Sequence, residues 1–212
     1  MEWLITGIIL TSFVILGSSQ LVSSIRMVAL QGALLSILPT MARSSFADPH
    51  SLLLFIGAFA IKAVVIPVFL FRSLKQAKIR KEVEPIVSLH LSLIGGGAIL
   101  VMAFSSFRAF GLPTAPFPPL IIPAAMATVL IGFFLLISRT KAITQVIGFL
   151  ILENGVFLFG MTLMSDFPLT VEMGVLLDLL VGVFVMGIMI YHINKTFDHI
   201  DTSALSKLRD AE

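Results

Sequence analysis

Seven stretches of predominantly apolar residues follow one another along the chain, each about the length a helix needs to cross a bilayer. They cover 3–22, 27–43, 51–72, 86–107, 119–138, 142–164 and 169–193. The second is short and interrupted by Pro39, so six spans, with the second merged or re-entrant, is the alternative. The 212 residues are 58% hydrophobic and only 12% charged, against about 25% charged in a soluble domain. So little charge cannot cover a water-facing surface, and the expected fold is an all-α polytopic membrane protein. The chain has no cysteine, which removes disulfides, thiolate metal sites and iron–sulfur ligation. Its first residues lack a basic n-region, so the first apolar stretch reads as a retained span.

The connections carry the topology. Arg26 falls between spans one and two, Arg72, Lys75, Lys78, Arg80 and Lys81 between three and four, and Arg139 and Lys141 between five and six. Lys195, Lys207 and Arg209 follow span seven, while the opposite side holds only Arg43 and Arg108. The positive-inside rule then puts the N-terminus outside and the C-terminus in the cytoplasm, which favours an odd number of spans. The net charge of +2 is read as topology, with no nucleic acid among the partners. The charged segment 73–84 is a solvated cytoplasmic helix or loop, with a docking surface for a peripheral partner as the rival reading. The prolines of 111–123 form a stiff external connection, and Gly95, Gly96 and Gly97 serve close helix packing.

Three ionisable residues fall near mid-membrane: Lys62 in span three, Glu153 in span six and Asp178 in span seven. Each costs about 2.5–3.5 kcal/mol at a span centre, so each should face protein interior, a partner subunit or trapped water. In one reading Lys62 pairs with a carboxylate and the charges only fix helix packing. In the other the three groups form part of a proton or cation path, where desolvation and a nearby ammonium oppose one another at the carboxyl. Gly148, Leu152, Gly155 and Phe159 offer a small-residue face near Glu153 for close helix approach. Pro67 leaves the carbonyl of Ala63 without its helical donor, close to Lys62. His90 and His192 sit at cytoplasmic span ends, with His90 the candidate for a water entry and a bis-histidine haem the rival reading. No Walker loop, zinc-protease motif or nucleophile elbow occurs, so no catalytic or metal-binding residue is assigned.

Segments 21–72 and 136–193 echo one another, each running out from a basic turn and back. Glu153 and Asp178 are 25 residues apart and Ser36 and Lys62 are 26 apart, which gives Ser36 the slot of Glu153 and Lys62 that of Asp178.

The block IGFLILENGVFLFG (147–160), followed by GVLLDLLVGVFVMGIMIYHI and the tail DTSALSKLRD, resembles the small three-helix subunit of respiratory complex I. That subunit carries one membrane glutamate in each of its last two helices, matched here by Glu153 and, with a shorter side chain, by Asp178. The small subunit of multisubunit cation/proton antiporters shares the same fold. Over nearly its whole length the chain is more similar to component E of hydrogenase-4, which places extra spans ahead of those three. Lys62 with Pro67, the run Glu153, Asn154 and Gly155, and Asp178 carry that likeness. The resemblance implies a four-span part over 1–110 and a three-span part over 111–212. It further implies a bacterial or archaeal cell-membrane subunit of a hydrogenase-type complex, with no active site of its own. Nickel–iron and iron–sulfur centres would belong to other chains. Large antiporter-like subunits, the membrane anchor of the peripheral arm and lipid would be its partners. Three functions compete on this basis: a proton- or sodium-relaying subunit, a structural spacer, and a stand-alone transporter.

Overall fold

The protein is described from a computed structural model over residues 1–43, 56–76, 86–110, 118–163 and 174. These residues form six helices, and no strand occurs among them. They are α1 (Glu2–Gly17), α2 (Leu21–Arg43), α3 (56–76), α4 (Leu89–Phe110), α5 (Ile121–Ser138) and α6 (Ala142–Leu163). All but α1 contain a segment long and apolar enough to cross a membrane, and α1 is a shorter apolar helix. Span seven lies outside the described residues apart from Gly174.

The first turn differs from the sequence expectation. Helix α1 ends at Gly17, Ser18 is extended, and α2 begins at Leu21, so Arg26 lies inside α2 with its side chain exposed. The break occurs where a run of small polar residues lets side chains compete for backbone groups. The Ser18 hydroxyl accepts from Gln20 N–H at 3.3 Å, and Ser24 Oγ donates to the Gln20 carbonyl at 3.2 Å. A long cationic side chain can sit one or two turns inside a span because it extends to the interface. Pro123 likewise belongs to the first turn of α5 rather than to the preceding connection, a position where a missing N–H is harmless.

Three connections meet at one end of the bundle. Ile86 N–H donates to the Ser138 carbonyl at 2.9 Å, and Arg139 Nη2 donates to the Leu16 carbonyl at 2.9 Å. The α1–α2 turn, the start of α4 and the α5–α6 turn therefore share a side, as the alternation of spans requires. Arg139 is buried, so it is more than the loop cation expected from sequence. Its guanidinium caps the Leu16 carbonyl in the last turn of α1, where a cation also meets the negative end of the helix. Burial holds it below the ordinary arginine range without threatening its charge. Arg139→Leu is expected to lower stability by about 1.5–3 kcal/mol through loss of this charged hydrogen bond, read as a fall in thermal midpoint in detergent.

Helices α5 and α6 approach most closely because glycine lines their seam. A Cβ on Gly132 would stand 2.5 Å from Leu152 N, and one on Gly155 would stand 2.6 Å from Val129 N. Gly148 faces Leu135 and Leu136 in the same way. At about 100° per residue, Gly148 and Gly155 lie roughly 140–160° round α6 from Glu153, and Leu152 about 100°. The small-residue face therefore looks onto α5, turned away from the carboxylate that it was expected to accompany. Of the glycine triplet in α4, Gly96 abuts Leu16 and Gly95 abuts Phe134, but Gly97 meets nothing within 4 Å.

Candidate functional site: a buried polar layer

The apolar core is divided into two clusters. One joins Ile15, Leu21, Val28, Ile66, Ile131 and Leu150, and the other joins Ile8, Leu35, Ala125, Phe157 and Met161. In sequence, Ser12 falls between the two clusters' members on α1, Gln31 on α2, Thr128 on α5, and Glu153 and Asn154 on α6. All are buried. Lys62, four residues before Ile66, enters the same layer from α3.

Lys62 stands in a π-helical turn, Ala60–Val65, within α3. Ile66 N–H bonds the Ile61 carbonyl, one residue further back than in an α-helix. Pro67 supplies the cause, because its ring collides with an α-helical carbonyl four residues earlier and it has no N–H to offer. On the other side Gly32 of α2 admits the Lys62 backbone, since a Cβ there would stand 2.9 Å from Lys62 Cβ. The wide turn and the missing side chain set a lysine deep between helices.

Lys62 Nζ lies 2.7 Å from Glu153 Oε1, and their side chains are 5% and 1% exposed. The same Nζ donates to Asn154 Oδ1 at 3.3 Å and sits 5.6 Å from the centroid of the Phe157 ring. Glu153 and Phe157 are four residues apart and so share one face of α6. Asn154 Nδ2 donates to Gln31 Oε1 at 3.1 Å, and Gln31 Nε2 donates to Ser12 Oγ at 2.8 Å and to the Ile8 carbonyl at 3.1 Å. Ser12 Oγ itself donates to Ile8 O at 3.0 Å. Four helices are thus joined across the mid-section of the bundle by one chain of hydrogen bonds.

Of the residues singled out from sequence, Lys62 and Glu153 are brought together and Asp178 lies outside the described residues, as does His192. Ser36 is buried, but its hydroxyl bonds the Gly32 carbonyl of its own helix at 2.8 Å, and α2 reaches the layer through Gln31 instead. His90 is exposed in the first turn of α4, away from the buried layer. Gln31 and Ser12 were missed. Their signal was an uncharged polar residue on a buried helix face, which a count of charges passes over.

The described residues thus form an all-helical bundle, five of whose helices are long and apolar enough to cross a membrane, with an ion pair enclosed between them. The chain is 32% identical over 209 residues to the uncharacterized protein Rv0085 of Mycobacterium tuberculosis, covering 96% of this chain and 93% of that protein, and it belongs to the same family. No family model matches the chain, and no solved structure matches it.

Proposed function

We propose that this chain is a membrane subunit of a complex-I-related, hydrogenase-type respiratory assembly, in which Glu153 and Asp178 pass protons or sodium ions and Lys62 is their charge partner. The observation that supports this reading most is the Lys62–Glu153 contact of 2.7 Å, which joins residues 91 apart in sequence inside an apolar bundle. Enclosed ionisable groups of this kind are characteristic of ion pathways, because hydrocarbon makes them expensive to keep without a task. The reading includes seven spans, an outside N-terminus and a cytoplasmic C-terminus. Redox centres reside in partner subunits, and large antiporter-like subunits and the membrane anchor flank this chain.

A second reading, a structural spacer of such a complex or of a multisubunit antiporter, draws on the chain of hydrogen bonds that ties α1, α2, α3 and α6 together. One experiment separates the two. The complex is reconstituted with Glu153→Gln and with Asp178→Asn, and ion pumping is measured against redox turnover. Relay carboxyls lose pumping by tenfold or more, in line with loss of a positioned acid–base group. Normal pumping with lowered assembly yield assigns the spacer role.

A further inference from the structure

We propose that Ser138 and Arg139 form a binding site for one phosphate group, placed where a bilayer presents its phospholipid headgroups. The inference starts from the guanidinium. Arginine carries five N–H donors in a fixed fork and no acceptor, and it keeps its charge in proteins. At Arg139, Nη2 donates to the Leu16 carbonyl at 2.9 Å, which leaves the other arm of the fork to be satisfied. Nη1 is enclosed and has no hydrogen-bond partner, and the same holds for the hydroxyl of Ser138, the preceding residue. The two residues are only 2% and 3% exposed, so bulk water does not serve them either. Native proteins seldom leave buried polar groups unmet, and two on successive residues call for a group from outside the chain.

Charge decides what that group is. The alternation of the helices brings the end of α3 to this side as well, and Leu74 shares a core cluster with Leu21 and Ile143. Arg26, Arg72, Lys75 and Lys141 therefore lie towards the same end as Arg139. Among the described residues the only acids are Glu2, at the opposite end of α1, and Glu153, in the mid-section. Burial pulls the Arg139 guanidinium below its ordinary range, and neither of these carboxylates is near enough to pull it back. Water would fill the hydrogen bonds and leave the charge unbalanced, whereas an anion does both. The oxygens of one phosphate accept from a guanidinium arm and a hydroxyl together, in charge-assisted bonds stronger than neutral ones.

Depth points to the source. Ser138 is the last residue of an apolar span and Arg139 the first beyond it, the level at which hydrocarbon gives way to headgroups. Ile137 and Thr140, on either side of the pair in sequence, are exposed, so the site lies at the rim of the bundle.

The proposal is independent of the relay reading. For its test the full-length chain in detergent is titrated with phosphatidylglycerol, with phosphatidylcholine and with inorganic phosphate. The thermal midpoint is read, and retained phospholipid is counted by native mass spectrometry. One tightly held phosphatidylglycerol per chain is expected. Arg139→Lys keeps a cation for the Leu16 carbonyl but loses the second arm, and should weaken binding about tenfold. Ser138→Ala should weaken it about three- to tenfold, the equivalent of one hydrogen bond. Arg72→Gln, which removes an exposed cation at the same end, should leave it unchanged. An equal effect of inorganic phosphate upholds the phosphate site and names the free ion as its source. Wild-type affinity in both Arg139→Lys and Ser138→Ala overturns the proposal. So does an equal loss in Arg72→Gln, which marks diffuse attraction to a basic surface. The adjoining segment 77–85 lies outside the described residues and contains Glu82 and Glu84. Binding that emerges only when both are changed to Gln would give the pair to the chain's own carboxylates, and would overturn the proposal too.

Discussion

Lys62→Met alone is expected to destabilise the folded chain by about 3–5 kcal/mol, and combining it with Glu153→Leu to recover about half of that loss. The single substitution leaves a carboxylate enclosed without its 2.7 Å cation, in a place where neither water nor lipid can replace it. The double substitution removes both desolvation costs, and what remains is mainly the Asn154 carbonyl that has lost its donor, worth roughly 1–3 kcal/mol. Reversible unfolding in mixed micelles of the wild type, the two single variants and the double variant completes the cycle. A loss below about 1 kcal/mol for Lys62→Met would mean that the pair is solvated like a surface salt bridge.

Gly132→Val should be as severe by a different route. Its side chain would have to occupy the position of the Leu152 backbone, since even a Cβ falls 2.5 Å from the nitrogen and 2.6 Å from Cα. Backbone cannot rotate aside as a side-chain tip can, so α5 and α6 must separate along their whole seam. Overpacking of a well-packed core costs typically 1–3 kcal/mol, and a seam this close should lie at or above the top of that range. Gly97→Val is the matched control: it is also a mid-helix glycine in an apolar span, but it has open space around it. Expression level and monodispersity in detergent should fall sharply for the first and stay near wild type for the second.

Much of the architecture could be read from hydropathy, because a bilayer imposes a length on each helix and the chain meets it repeatedly. The α5 and α6 boundaries agree with the expected spans to within two residues. The α1–α2 turn does not, because charge alone places Arg26 in a loop, whereas Gly17 and the two serines after it end the helix earlier and leave Arg26 inside α2. For the site, Lys62 and Glu153 were conspicuous by their desolvation cost, but depth alone could not say that they touch. That depends on Gly32 letting α2 meet the Lys62 backbone and on the wide turn ahead of Pro67. The internal echo pointed to Ser36 because it compared spacings. The residue that α2 contributes is Gln31, five positions away, selected by which face of the helix meets α1 and α6.

The π-turn also sets the phase of the helix that contains it. Ala58, Lys62, Ile66, Leu70 and Leu74 are all buried, each four residues after the last. In a regular α-helix a row with that spacing winds round the axis by about 40° at every step. The residues at its two ends would then face different neighbours. By widening one turn, the helix straightens the first steps of this row, and the ammonium stays in line with the leucines that dock the rest of α3. The strip behaves as a vernier: slipping its lower half by one residue would swing Lys62 away from Glu153 while leaving the apolar contacts of Leu70 and Leu74 in place.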